Sequence, residues 1–127
     1  MTISKPSGNV MRYRALGRTG VQVSPLSLGT MLFGTATRPD DAATLLDIAI
    51  DAGVNSLDTA NVYGRGASED LVGQLLASRP GLRDRLIVAS KVHVSMADDD
   101  PNAQGSSRRH IIAQCEASLR RLGLDHL

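Results

Sequence analysis

The sequence predicts an α/β fold in which parallel strands alternate with helices. Three short apolar runs, at residues 26–28, 54–57 and 86–89, have the length and composition of strands. Each run is followed by a segment in which apolar residues recur at helical spacing. Strand followed by helix, three times over, indicates parallel strands joined by crossover connections. The 127 residues are enough for one domain with a hydrophobic core.

The amino-terminal part is expected to contain a leader and a hairpin. Residues 1–10 are polar and show no periodicity, which predicts a flexible leader before a folded portion at residues 11–127. A short hairpin with its turn between Gly17 and Gly20 follows. The first parallel strand then ends at Gly29.

The first helix is predicted to begin at Pro39 and to end at Gly53. Proline fits the first turn of a helix, and the two aspartates after it favour the positive end of the helix dipole. Glycine is the usual residue just past a helix end. Four apolar residues at i, i+3, i+4 and i+7 form the expected buried face: Ala42, Leu45, Leu46 and Ala49.

The second and third helices follow the same logic. The second begins at Ser68, with acids in its first turn, and ends before Pro80. The third begins near Ser107, after a long surface loop at residues 96–107, and ends at Gly123. The run at residues 86–89 is expected to be buried on both faces, and residues 124–127 to begin another strand. The third helix is expected to bury Ile111, Ile112, Cys115, Leu119 and Leu122.

Two architectures use this repeating unit, the open doubly wound sheet and the closed (β/α)8 barrel. The open sheet usually carries a Gly-x-Gly-x-x-Gly turn after its first strand. The turn here runs from Gly29 to Gly34 as "GTMLFG" and lacks that spacing. We therefore predict a (β/α)8 barrel of the TIM type. Only the amino-terminal hairpin and the first three β/α units, a partial barrel, are expected within this chain.

Composition excludes several classes of partner. The formal net charge is +1, which gives no electrostatic reason to bind nucleic acid or an anionic membrane surface. No apolar run approaches the roughly 20 residues that span a bilayer. The amino terminus lacks the apolar core of a secretory signal. With one cysteine, no internal disulfide can form, which suits a cytoplasmic protein.

The candidate chemistry lies at the ends of the second and third strands. Asp58 ends the second run, Tyr63 lies in the loop beyond it, and Lys91 follows the third run. A free phenol has a pKa of about 10, and a neighbouring ammonium favours the phenolate. An aspartate would hold that ammonium in place, so the three residues form a plausible general-acid device. The alternative is that Asp58 caps a loop and Lys91 is a solvated cation at a strand end.

Four stretches of the chain resemble the aldo-keto reductase family. They read "MRYRALGRTGVQVSPLSLGTM", "DAGVNSLDTANVYGRGASEDLVGQLL", "LIVASKV" and "ASLRRLGLDHL", and they cover nearly everything after residue 10. They are similar to that family's opening hairpin, its acid and tyrosine signature, its lysine strand and its third helix. The opening resembles the bacterial and plant-type branch. The resemblance implies the amino-terminal part of a barrel enzyme that reduces aldehydes or ketones with NADPH, or with NADH.

The resemblance also implies residue roles. Tyr63 matches the family's proton donor, Asp58 its acidic partner and Lys91 its lysine. Asp58 also matches a cofactor-binding position, next to the ribose. The other matches to the cofactor site lie in the first-strand loop, at Gly29, Thr30 and Met31. The expected substrate is a small carbonyl compound, and no metal site is expected.

Two departures from the family pattern matter. The family's fourth catalytic residue is a histidine at the end of the fourth strand, and His126 would lie at the beginning of that strand. His93 and His110 are expected to be ordinary surface or loop residues. Cys115 is expected to be a core residue and not a nucleophile.

The second departure is length, because a complete barrel takes about 250 residues. The chain is therefore expected to be a truncated reductase that is inactive alone and self-associates through open strand edges. In the family, the pocket for the cofactor's pyrophosphate and adenine comes mostly from the second half of the barrel. The alternative function is a non-catalytic binding or regulatory protein, because potassium-channel beta subunits resemble reductases.

Overall fold

The computed structural model of the protein describes residues 11–127; the leader expected at residues 1–10 lies outside this range. A two-stranded antiparallel hairpin pairs β1 (Arg14–Ala15) with β2 (Gln22–Val23). The other described elements are β3 (Leu28–Gly29), α1 (Pro39–Asp51), β4 (Ser56–Asp58), α2 (Ala67–Ala77), β5 (Ile87–Ala89) and α3 (Arg108–Leu122). Short 3-10 turns at Tyr63–Gly66 and Arg83–Arg85 connect them.

The sheet is parallel and has the order β3-β4-β5. Its register pairs Gly29 with Asp58, and Asp58 with Ala89. The strands thus end level with one another, so their carboxyl ends form a single edge. All three predicted strands begin later than expected, at Leu28, Ser56 and Ile87, because the first residues of each apolar run have no paired neighbour.

The hydrophobic core lies between this sheet and its helices. Leu57 and Val88 project from the sheet into it and are 1% and 6% exposed. Side chains alternate along a strand, so the neighbouring residues project to the opposite face. That face is open, and Ala89 on it is exposed. The expectation that residues 86–89 are buried on both faces is therefore wrong for residues 11–127 as described.

Helix α1 begins at Pro39 and is followed by Gly53 at φ 88°, as the sequence predicts. Its buried stripe is narrower than expected, because Ala42 and Leu46 are buried while Leu45 is 43% exposed. The residues of α1 that contact the core are spaced four apart, from Ala42 through Leu46 to Ile50. Leu45 lies beside these residues and is therefore left outside the core.

Helix α2 packs closely against the end of α3. A Cβ built on Gly73 would lie 2.5 Å from the backbone oxygen of Arg121, so glycine is needed for this approach. Helix α3 begins after Ser107, whose hydroxyl accepts a hydrogen bond from the His110 amide, and it ends at Gly123 at φ 64°. Both ends agree with the sequence prediction.

The buried face of α3 differs from the predicted one. Ile111 and Ile112 are each 41% exposed, and Cys115 is exposed as well. Leu122 is buried as predicted and Leu119 is half-buried, while His110 and Ser118 are buried in place of the other three. The reason is that α3 contacts α2 at Leu122, beside Gly73, and the exposed Ile111 and Ile112 lie outside this contact. The apolar residues predicted to be buried do have helical spacing. Spacing alone does not say which face of a helix meets its neighbour.

The last residues do not form the predicted strand. Residues 124–127 contain no strand, and the Leu124 amide instead bonds back to the Leu119 carbonyl at the end of α3. In the part of the chain that the structure describes, no helix is long and apolar enough to cross a membrane.

Candidate active site

Register and turn geometry bring the predicted acid device together at the carboxyl edge of the sheet. Asp58 is the last residue of β4, and Lys91 follows β5 by two residues. Beyond β4, the Asn61 amide donates to the Lys91 carbonyl at 3.2 Å, which extends the pairing of the two segments. The chain then turns at Tyr63 and returns toward α2.

All three donors of the Lys91 ammonium have partners. Its Nζ lies 2.7 Å from Asp58 Oδ2, 2.9 Å from the Thr59 carbonyl oxygen and 3.1 Å from the Tyr63 phenolic oxygen. An ammonium has three hydrogens and no lone pair, so Tyr63 must accept from it. The phenolic hydrogen of Tyr63 is then free to be donated elsewhere. The Lys91 nitrogen also lies 4.8 Å from the centre of the Tyr63 ring.

This environment raises the pKa of Lys91. Partial burial alone would lower that pKa, but hydrogen bonds to Asp58 and Tyr63, with the charge of Asp58, outweigh it. The side chains of Lys91 and Asp58 are 48% and 42% exposed, so this is an accessible ion pair and not a buried one. Lys91 therefore remains a cation at neutral pH, next to the phenol.

The turn after Tyr63 uses an unusual backbone. Gly64 and Arg65 have φ of 58° and 52°, a left-handed conformation that a residue with a side chain rarely adopts. A Cβ on Gly64 would lie 2.8 Å from Thr35. Arg65 is held in place by a hydrogen bond to the Met96 carbonyl and a bridge to Asp98. The turn thus fixes where the Tyr63 side chain leaves the backbone.

The three residues expected in the first-strand loop differ in accessibility. Gly29 is exposed on the open face of the sheet, and Met31 is 58% exposed. Thr30 is fully buried, and its amide and hydroxyl both bond to the Asp58 carbonyl. Its side chain is therefore not available to a ligand, although its position ties β3 to β4 beside Asp58.

Two concave surfaces adjoin the acid device. The open face of the sheet forms a groove that includes Gly29, Asp58 and Ala89. A second, mostly apolar pocket is lined by Val62, Tyr63, Lys91 and neighbouring residues. Tyr63 and Lys91 thus border a pocket that suits the apolar part of a small molecule.

The histidines lie outside this constellation. His93 Nδ1 is 3.0 Å from Ser106 Oγ, and His126 Nδ1 is 2.6 Å from Asp125 Oδ1. Contrary to the expectation for a surface or loop residue, His110 is only 3% exposed, because the first turn of α3 packs inward. Within residues 11–127, no cluster of three or more His, Cys, Asp or Glu side chains could hold a metal ion.

Two residues next to the site were predicted only as helix-start residues. Ser68 and Glu69 are both fully buried, and their side chains bond to residues that follow or end the strands. A serine and an acid before an apolar run usually indicate a helix amino terminus, so the sequence alone predicts a capping role for them. Only the packing of α2 shows that they point into the protein.

A sequence profile of the aldo/keto reductase family matches residues 25–127. The chain belongs to this family. The curated relatives include YrpG, an uncharacterized oxidoreductase of Bacillus subtilis, which is 40% identical over 124 residues. That alignment covers 92% of this chain and 38% of YrpG. A rice protein named "Probable voltage-gated potassium channel subunit beta" is 37% identical over 118 residues, covering 92% of this chain and 35% of its own.

Solved structures of aldo-keto reductases resemble this chain as well. The holo form of an aldo-keto reductase from Bacillus halodurans superposes with a TM-score of 0.78 at 33% identity, covering 92% of this chain and 38% of that one. The mixed α/β fold described above is consistent with the known (β/α)8 barrel of this aldo/keto reductase family. The chain therefore spans well under half the length of the relatives it matches.

Proposed function

We propose that this chain carries the general-acid device of an NADPH-dependent reductase of aldehydes or ketones. The observation that carries the proposal is the Lys91 ammonium, which bonds both Asp58 Oδ2 and the Tyr63 oxygen. Family membership supports oxidoreductase chemistry, with a nicotinamide cofactor and a small carbonyl substrate. NADPH is proposed over NADH on the resemblance alone. A reducing cytoplasm, which suits the single cysteine, is the proposed location.

The proposed roles follow from the geometry. Tyr63 donates its phenolic proton to the carbonyl oxygen, and Lys91 stabilises the phenolate that remains. Asp58 holds Lys91 charged and oriented. The proton passes from Tyr63 to the substrate oxygen, and a solvent proton restores the phenol afterwards. The cofactor, when bound, supplies the hydride that adds to the carbonyl carbon.

The described residues fit the nicotinamide end of such a cofactor. Asp58 uses Oδ2 for Lys91, while Oδ1 accepts no hydrogen bond from residues 11–127 and is free for a ribose hydroxyl. Gly29 and Met31 are exposed beside it and would contact the cofactor. Thr30 would contribute by holding the loop, because its side chain is buried.

A second candidate is a binding or regulatory protein that keeps the reductase fold without catalysis. The observation in its favour is the 37% identity to the rice protein named as a channel beta subunit. Under this proposal Asp58, Tyr63 and Lys91 would keep their contacts, and the protein would bind cofactor without turnover.

The test uses a hybrid in which residues 1–127 replace the matching segment of the Bacillus halodurans reductase. The parent reductase is the positive control for a reactive aldehyde and for NADPH binding. We expect the hybrid to bind NADPH and to reduce the aldehyde. A folded hybrid that binds NADPH but does not turn over would favour the binding protein, and one that also fails to bind would contradict both proposals.

A further inference from the structure

The first turn of α2 makes side-chain hydrogen bonds at the ends of all three parallel strands. Ser68 Oγ donates to the Thr30 carbonyl oxygen at 2.7 Å. It also lies 2.9 Å from Thr30 Oγ1 and 3.1 Å from Thr59 Oγ1. The single hydrogen of the Ser68 hydroxyl goes to the Thr30 carbonyl, and its oxygen can accept from Thr59 Oγ1. The Thr30 hydroxyl donates its own hydrogen to the Asp58 carbonyl and lies in close contact with Ser68. Ser68 is therefore held between the segments that follow β3 and β4.

Glu69 makes the corresponding contact after β5. Its carboxylate is fully buried; Oε1 accepts from Ser90 Oγ at 2.6 Å, and Oε2 accepts from Arg121 Nε at 2.6 Å. A buried carboxylate is stable only when it is paired and hydrogen-bonded. Arg121 belongs to α3, so Glu69 joins two helices and a strand end. Asp70, the next residue, is exposed.

The residues held in this way are direct neighbours of the site residues. Thr59 follows Asp58, and Ser90 precedes Lys91. Because successive side chains of an extended chain project to opposite faces, a contact made by one residue toward the helices sets the direction of the next toward the open face. The Thr59 carbonyl oxygen also accepts a hydrogen bond from Lys91 itself.

We propose that Ser68 and Glu69 are positioning residues, which set the Asp58–Lys91–Tyr63 arrangement by holding Thr59 and Ser90. The arrangement itself is seen in the hydrogen bonds given above. Its use in catalysis rests on the proposed function. Ser68 sets the backbone on the Asp58 side and Glu69 the backbone on the Lys91 side. The competing explanation is that both residues only attach α2 to the sheet, in which case removing them lowers stability and leaves the ammonium's surroundings unchanged.

The experiment measures the pKa of Lys91 directly in the 127-residue chain. The chain has two lysines, Lys5 and Lys91, and mass spectrometry separates the peptides that carry them. Competitive acetylation with trace acetic anhydride across a pH series reports the pKa of each lysine at protein concentrations low enough to limit self-association. Asp58→Asn removes the carboxylate that bonds Lys91 and therefore gives the largest expected change in the pKa of Lys91. Circular dichroism confirms that each variant is folded.

We expect Glu69→Gln and Ser90→Ala to lower the pKa of Lys91 toward its ordinary value, in the same direction as Asp58→Asn. The matched control Asp70→Asn makes the same chemical change one residue away and should leave the pKa of Lys91 unchanged. If Glu69→Gln does not fold, Ser90→Ala decides, because it removes only the hydroxyl that links Glu69 to the strand end. In the hybrid reductase, loss of positioning should lower kcat by up to about 10²-fold with little change in KM.

The outcomes separate this proposal from the proposed function. If Asp58→Asn lowers the pKa of Lys91 and the folded Ser90→Ala and Glu69→Gln variants do not, the positioning role is wrong. If even Asp58→Asn leaves it unchanged, the ion pair on which the proposed acid device depends is wrong. If the pKa responds as expected and the hybrid has no activity, positioning stands and the reductase proposal fails.

Discussion

The phenolic oxygen of Tyr63 accepts a hydrogen bond from the Lys91 ammonium at 3.1 Å, which leaves the phenolic hydrogen free for another acceptor. Lys91 in turn is fixed by Asp58 and by the Thr59 carbonyl. Tyr63 also lines the adjoining apolar pocket. The phenolic hydroxyl is therefore the group whose removal tests the chemistry most directly.

In the hybrid reductase, we expect Tyr63→Phe to lower kcat by about 10²–10⁴-fold, the usual contribution of a general acid. NADPH binding should be nearly unchanged, because only the hydroxyl is lost. Tyr13→Phe is the matched control, since the only other tyrosine donates its hydroxyl to the Gly53 carbonyl in the hairpin region. Turnover of the Tyr63→Phe hybrid close to that of the Tyr13→Phe hybrid would contradict the assignment.

The 127-residue chain alone should show no measurable carbonyl reduction and weak or no NADPH binding. Orientation of bound groups can account for roughly 7–11 kcal/mol of a barrier, more than one proton donor contributes. The open sheet face and the exposed Ile111 and Ile112 should make it self-associate. Fluorescence titration with NADPH, an aldehyde assay and analytical ultracentrifugation test this. A monomer that binds NADPH tightly and turns over would overturn the expectation.

Cys115 should react readily with a thiol reagent, because it is exposed on the outer side of α3. The measurement compares its labelling rate in the folded chain with the rate in denaturant, at several protein concentrations. Comparable rates at low concentration are expected. Strong protection in the dilute folded chain would show that the exposed orientation of this helix face is wrong.

Gly73→Ala should destabilise the chain although alanine is the better helix former. The change adds about 0.5–1 kcal/mol of helix stability. However, the new methyl group would lie 2.5 Å from the Arg121 carbonyl oxygen, and overpacking of this kind costs about 1–3 kcal/mol. Gly29→Ala is the control, because nothing lies within 4 Å of a Cβ built there. Denaturant unfolding followed by circular dichroism compares the variants, and an unchanged or raised stability for Gly73→Ala would refute the close approach.

The ion pair between Asp47 and Arg79 should give an acid-dependent contribution to stability. Two hydrogen bonds from Arg79, at 2.8 and 3.0 Å, lower the pKa of Asp47 below its usual 3.8. A carboxylate with a lowered folded-state pKa stabilises the fold above its unfolded pKa, and that contribution is lost as the pH falls through the folded value. Wild type should therefore be more stable than Asp47→Asn at neutral pH.

The difference should shrink as the pH falls through the folded-state pKa of Asp47, which lies below its usual 3.8, because the carboxyl group then becomes protonated in both states. Denaturant unfolding of wild type and Asp47→Asn at a series of pH values measures this difference in the free energy of unfolding. Asp51→Asn makes the same chemical change on the same helix, one turn later, at an exposed side chain, and serves as the control. A difference between wild type and Asp47→Asn that persists at low pH would rule out the ion pair as its cause.

The sequence by itself determined the order of strands and helices up to α3, the limits of α1 and α3, and which three residues are proposed as the acid device. These depend on local chemistry: apolar period, proline and glycine at helix ends, and a polar residue after each apolar run. The positions of Asp58, Tyr63 and Lys91 could be predicted because parallel strands of equal register end at one edge.

Only the tertiary structure decided which helix face is buried and what Ser68 and Glu69 do. The apolar spacing in α3 fits a stripe through Ile111 and Cys115, but the buried residues of the helix are His110, Ser118 and Leu122, the last of which contacts Gly73 of α2. Periodicity fixes the angle between side chains on a helix but not the direction of the neighbour. For the same reason, a serine and a glutamate at a helix start serve as caps or as buried hydrogen-bonding groups according to what packs against them.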